Sequence, residues 1–197
     1  MKTVKNLFII MLCLMFLGAC EQSPDDPNLI SDLNGHPEVD ARIMPFKANF
    51  YTIRSYDEGP GTCGEDPYLS YNLQIGEGNA THLGEFSTTM WFCGSGLDYK
   101  NGEGYFIAAN GDELYFNVPT AGEIGHVLPL PYEDPLYEFY FKDPFTFIGG
   151  TGRFEGASGG GYTDSYVDLF DDNGDFIPEH KTDHKWVGTL ILPKKNK

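Results

Sequence analysis

The chain has 197 residues, a formal net charge of −16 and 15% aromatic residues. That acidity excludes a nucleic-acid binder and a protein held to membranes by anionic lipid heads, because phosphates would repel it. The aromatic content excludes a disordered acidic tail, and 24 glycines with 13 prolines among β-branched and aromatic residues point to many short strands and turns.

The first segment reads as an address. Lys2 and Lys5 precede an apolar run over residues 7–16 that is too short to cross a bilayer comfortably. Leu17-Gly18-Ala19-Cys20 resembles the lipobox of bacterial lipoproteins. The resemblance implies that residues 1–19 are a signal peptide, that the leader is cut before Cys20, and that Cys20 carries the lipid. The competing reading is an ordinary secretory signal cut after Ala19. Several acyl chains would hold the mature protein at the cell envelope, most simply at the outer membrane on its periplasmic or surface face. Residues 20–40 are polar, acidic and proline-broken, so they read as a flexible tether that spans about 25 Å. Cys13 leaves with the leader, so Cys63 and Cys93 remain for a disulfide in an oxidising compartment.

Residues 41–193 read as one all-β domain, followed by a basic tail at 194–197. Period-two alternation dominates and no helical period survives inspection. Phe46, Ala48, Phe50 and Thr52 share a face of the first strand; Leu69, Tyr71, Leu73 and Ile75 of the second; Phe86, Thr88, Met90 and Phe92 of the third. Residues 94–102 read as a loop. Residues 105–109 and 113–118 flank Asn110-Gly111, which predicts a hairpin with a type I′ turn. Residues 119–135 form a proline-rich loop long enough to carry function or cover something. Tyr137, Phe139, Phe141, Phe145 and Phe147 share one face of a long sixth strand, which Asp143-Pro144 must bend. Residues 163–169 predict the seventh strand and 186–192 the eighth. Eight antiparallel strands protect their edges best by closing into a barrel, which encloses packed side chains or one small ligand.

Ile148-Gly149-Gly150-Thr151-Gly152-Arg153-Phe154-Glu155-Gly156-Ala157-Ser158-Gly159 reads as a sheet corner. It resembles the late glycine motif of allene oxide cyclases and dirigent proteins. Thr81-His82-Leu83-Gly84 and Asn110-Gly111-Asp112 look like uncharacterised bacterial relatives of that barrel. The resemblance implies a closed antiparallel eight-stranded barrel with an apolar cavity, and the plant members assemble as trimers, which makes a homo-oligomer an expectation. No catalytic residue of either family matches a position here.

The candidate ligand-binding residues are His82, Phe86, Met90, Phe139 and Phe141, taken from the faces that alternation turns inward. His180 and His184, four apart with Glu179 and Asp183 beside them, echo a zinc site but read better as a solvated approach to the last strand. Asp171-Asp172-Asn173-Gly174-Asp175 echoes a calcium loop but fits a hairpin turn. The run Gly149–Gly156 lacks phosphate-loop spacing. No metal or cofactor is expected. Three functions remain: a non-catalytic barrel that binds a small apolar ligand or a partner, an isomerase or cyclase of the allene oxide cyclase kind, and a structural module with a filled barrel.

Overall fold

In the computed structural model, which describes residues 41–55, 63–65 and 69–194, strands make up nearly all regular structure. β1 (Ala41–Ser55), β2 (Ser70–Ala80), β3 (Gly84–Ser95), β4 (Asp98–Ala108) and β5 (Glu113–Asn117) form an antiparallel meander. Two short pieces follow, β6 (Gly125–His126) and β7 (Leu128–Pro129). β8 (Phe139–Phe141) and β9 (Pro144–Gly150) lead to a 3-10 turn at Gly152–Phe154, then to β10 (Ser158–Val167) and β11 (Lys181–Pro193). β5 pairs with β9, β9 with β10, β10 with β11, and β11 with β1. The ladder therefore closes on itself as an eight-stranded antiparallel barrel, with Trp186 opposite Ala48 and Leu192 opposite Arg42.

One end of the barrel is solid. Phe46, Phe50, Phe86, Phe106, Phe116, Phe145, Phe147 and Trp186 fill it from six strands. Phe106 is their hub, 4.7 Å from Phe86 and 4.6 Å from Phe116 between ring centroids, while Phe145 stacks on Trp186 at 4.6 Å. Such pairs contribute about 0.5–1.5 kcal/mol each beyond their buried area. The corner after β9 seals this end, because the 3-10 turn returns Phe154 into the core with no exposed surface. The glycine motif is thus a structural corner, as its spacing indicates.

The sequence reading needs five corrections. On β2 the inward face carries Gln74, Gly76, Gly78 and Ala80, while Ile75 is exposed. Leu73 is buried all the same, and that concealed the true face. The seventh strand begins at Ser158 and the eighth at Lys181, both several residues early. Residues 94–102 are mostly strand, since β3 and β4 continue to a turn at Gly96-Leu97. The expected long sixth strand is two, β8 and β9, which break where Asp143-Pro144 stands. Asn110 stays out of the left-handed region that a type I′ turn requires; Gly111 alone enters it there, at φ 84°.

Cys63 and Cys93 are joined by a disulfide, which ties the connection between β1 and β2 to the end of β3. The signal peptide, Cys20 and the tether, and all of the basic tail after Lys194, lie outside the described residues.

Candidate functional site: the open end of the barrel

The solid core stops short of the other end, where β1 and β10 finish and β2 and β11 begin. Here the inward residues change character. Thr52, Gln74, Ser165, Thr182 and His184 replace phenylalanine on four adjacent strands, and all five are buried. Met90, Phe92, Tyr99, Val118 and Phe141 face them from the other side. Between the two walls lies a cavity of about 290 Å³, lined on the polar side by Gln74, Thr182 and His184, with Thr52 and Ser165 hydrogen-bonded to Gln74 and His184. The connection over residues 119–135 roofs part of it. β6 pairs with the start of β4, Gly125 lies against the Tyr99 ring, and Val127 joins the lining.

The polar wall is one hydrogen-bonded chain. Thr52 Oγ1 donates to Gln74 Oε1 at 2.5 Å, His184 Nε2 lies 3.0 Å from Thr52 Oγ1, and His184 Nδ1 lies 2.8 Å from Ser165 Oγ. The Thr52 hydroxyl has one proton and gives it to Gln74. His184 therefore carries its own proton on Nε2 and donates it to Thr52, while Nδ1 accepts from Ser165. The imidazole also stacks on Phe50 at 4.4 Å. Complete burial holds it neutral and pulls its pKa down to about 3, against a weak opposing pull from Asp183. With both ring nitrogens engaged, His184 positions its neighbours and is not free to act as an acid or base.

A second buried pair stands at the rim. Tyr99 donates to Asp143 Oδ2 at 2.7 Å, and the Asp143 backbone N–H donates to Thr163 Oγ1. Burial raises both groups: the Tyr99 phenol goes well above its ordinary value, and the Asp143 carboxyl rises although Tyr99 and His126 pull it down. His180, just ahead of β11, bonds to the Ile177 carbonyl, and burial lowers its pKa.

No family model matches the chain, and no curated protein does. Among solved structures it is similar to a pterocarpan synthase dirigent protein. The likeness has a TM-score of 0.40 at 9% identity, and it covers 82% of this chain and 91% of that one. The barrel itself is established by the strand pairing described above.

The expected ligand residues are divided by the fold. Met90 and Phe141 line the cavity. Phe86 belongs to the solid core between Phe50 and Phe106. Phe139 packs on Phe170 and does not reach the cavity. His82 is not interior at all: it is exposed in the turn between β2 and β3, at φ 68°, with its Nε2 against the Pro45 carbonyl. Alternation fails there because the turn ends the strand before His82. His180 and His184 do share one face, but it is the buried one rather than a solvated approach. No cluster of three metal-ligating side chains occurs among the described residues. The acidic turn is a hairpin turn, with Asp171 Oδ1 accepting from the Asn173 and Asp175 backbones.

Sequence reasoning missed Thr52, Gln74, Tyr99, Ser165 and His184 as a group. Alternation places Thr52 inward, yet nothing local says that its neighbours across the ladder are polar. A second, broader hollow of about 740 Å³ lies over the strands on the outside, edged by Tyr51, Tyr137 and Tyr166. It is open to solvent, and its polar groups are matched to one another, as in the 2.6 Å bond from the Tyr137 hydroxyl to Asp183 that helps push the phenol up to about 12. The inner cavity is the better site because it is the more enclosed of the two and is walled by both apolar and polar groups.

Proposed function

We propose that the protein is an envelope lipoprotein, anchored through Cys20, whose barrel holds a small apolar ligand at its open end without transforming it. The observation that carries this reading is the cavity itself. A volume of about 290 Å³ is roughly twice the size of a cavity that takes one benzene, so it suits a molecule of about two rings. A filled barrel would leave no such space. Of the two imidazoles that line the cavity, His184 has both nitrogens committed and His180 gives its Nδ1 to the Ile177 carbonyl, which favours binding over acid–base chemistry at His184.

The cyclase reading draws its support from the Tyr99–Asp143 pair, a buried hydroxyl and carboxyl at the cavity rim. One experiment separates the readings. The protein is purified from its own membranes and subjected to native mass spectrometry and N-terminal peptide mapping. Acyl chains on Cys20 and a retained small molecule are expected. The retained molecule is then isolated and offered back to stripped protein: release unchanged marks a carrier, and conversion to an isomer marks a cyclase. An unmodified N-terminus would remove the anchor, and an empty barrel in every preparation would remove the ligand.

A further inference from the structure

The polar wall has a direction, and it ends on an unused donor. The chain of protons runs from Ser165 to His184, from His184 to Thr52, and from Thr52 to Gln74 Oε1. In the last contact the Thr52 hydroxyl donates to the side-chain carbonyl of Gln74. The carbonyl oxygen of Gln74 is therefore the atom that meets Thr52, and the amide NH2 is left over. Gln74 is 4% exposed and lines the cavity, and its NH2 makes no hydrogen bond to the described residues; the indole N–H of Trp186, which lines the same cavity, is buried there and also has no partner among them. Thr182, opposite Thr52 on β11 and 2% exposed, adds a hydroxyl on the same wall. Buried polar groups are almost always satisfied, so two donors without protein acceptors on one cavity mark where an acceptor belongs.

We infer that the cavity selects an uncharged, ring-sized apolar molecule bearing a carbonyl oxygen, and that Gln74 is the residue that reads that oxygen. The inference rests on the ligand-binding reading above and gives it a chemical class. The opposite wall, with Met90, Phe92 and Phe141, accepts the hydrocarbon body. Ser165, His184 and Thr52 are engaged with one another and with the Gln74 carbonyl, so the NH2 group selects an acceptor over a hydrocarbon of the same shape. Losing a partner for a buried donor lowers affinity by roughly tenfold.

The test uses three probes on the full chain in detergent: 2-acetylnaphthalene, 2-ethylnaphthalene and 2-naphthoate. Trp186 lines the cavity and reports binding by fluorescence. The ketone is expected to bind roughly tenfold tighter than the hydrocarbon, and tighter than the carboxylate. In 15N-labelled protein the Gln74 side-chain amide protons should move downfield with the ketone and not with the hydrocarbon. Gln74→Met, which keeps the volume and removes the NH2, should bring the two affinities together. Because that variant also deprives Thr52 of its acceptor, the amide shift in the unaltered protein stands as an independent measure. Equal affinities for ketone and hydrocarbon, or an unmoved Gln74 amide in the bound state, would overturn the assignment while leaving the cavity as a binding site. Failure of all three probes to bind would overturn both.

Discussion

His184 decides how the polar wall responds to acid. It is neutral in the fold, with a pKa of about 3, against an ordinary value near 6.5 in the unfolded chain. Between these values the unfolded chain binds the extra proton and the folded one does not, so stability falls as pH falls. The contribution is complete above about pH 6.5 and is lost progressively towards pH 3. At pH 5 the loss attributable to this one group is about 2 kcal/mol. Asp143 acts with the opposite sign. Its raised pKa gives stability that is present in acid and disappears as pH rises through the folded value, so it softens the decline only at the acid end. Urea unfolding at pH 7 and pH 5 checks this: the wild-type midpoint should drop, and His184→Gln should remove most of the drop. An unchanged pH dependence in the variant would mean that other groups set it.

At the scale of the elements, the closure of β10 on β11 depends on glycine. Gly161 and Gly188 stand opposite one another in the ladder. A Cβ on Gly161 would overlap the Val187 carbonyl oxygen, and one on Gly188 would overlap that of Gly160. These are backbone atoms of a paired strand and have nowhere to retreat. Gly161→Ala should therefore destabilise the barrel by about 1–3 kcal/mol, as overpacking does in a core. Thermal unfolding reads the change directly, and a neutral result would show that the two strands can separate without loss. The same close approach explains why the strand is hard to see in the sequence. Gly159, Gly160 and Gly161 lack β-propensity and read as the end of a corner, yet pairing of all three with β11, and of Gly160 and Gly161 with β9 as well, makes them strand.

For the molecule as a whole, the cavity end is the end that needs help. The aromatic cluster holds the closed end together, whereas the open end has a hollow centre and a long connection between β1 and β2. The Cys63–Cys93 disulfide, with its 30-residue separation, pins that connection beside the cavity rim. In the chain-entropy view its loss lowers stability by about 3–4 kcal/mol. Reduction, or Cys63→Ser with Cys93→Ser, should lower the denaturant midpoint and weaken probe binding at the cavity more than it disturbs the near-ultraviolet signal of the packed aromatic rings. Equal loss of both signals would show that the two ends unfold as one.

From the sequence by itself came the all-β class, the eight strands that close the barrel, the corner at Gly149–Gly156 and the Cys63–Cys93 pair. Each of these depends on local period, turn chemistry or compartment, which a linear chain carries on its face. The cavity wall was of another kind. Thr52, Gln74, Ser165 and His184 lie far apart along the chain and read as ordinary polar positions, and only the register of β2, β1, β11 and β10 sets them side by side. Whether a buried polar group is a fault or a site depends on who stands across the ladder, and that is decided when the last strand meets the first.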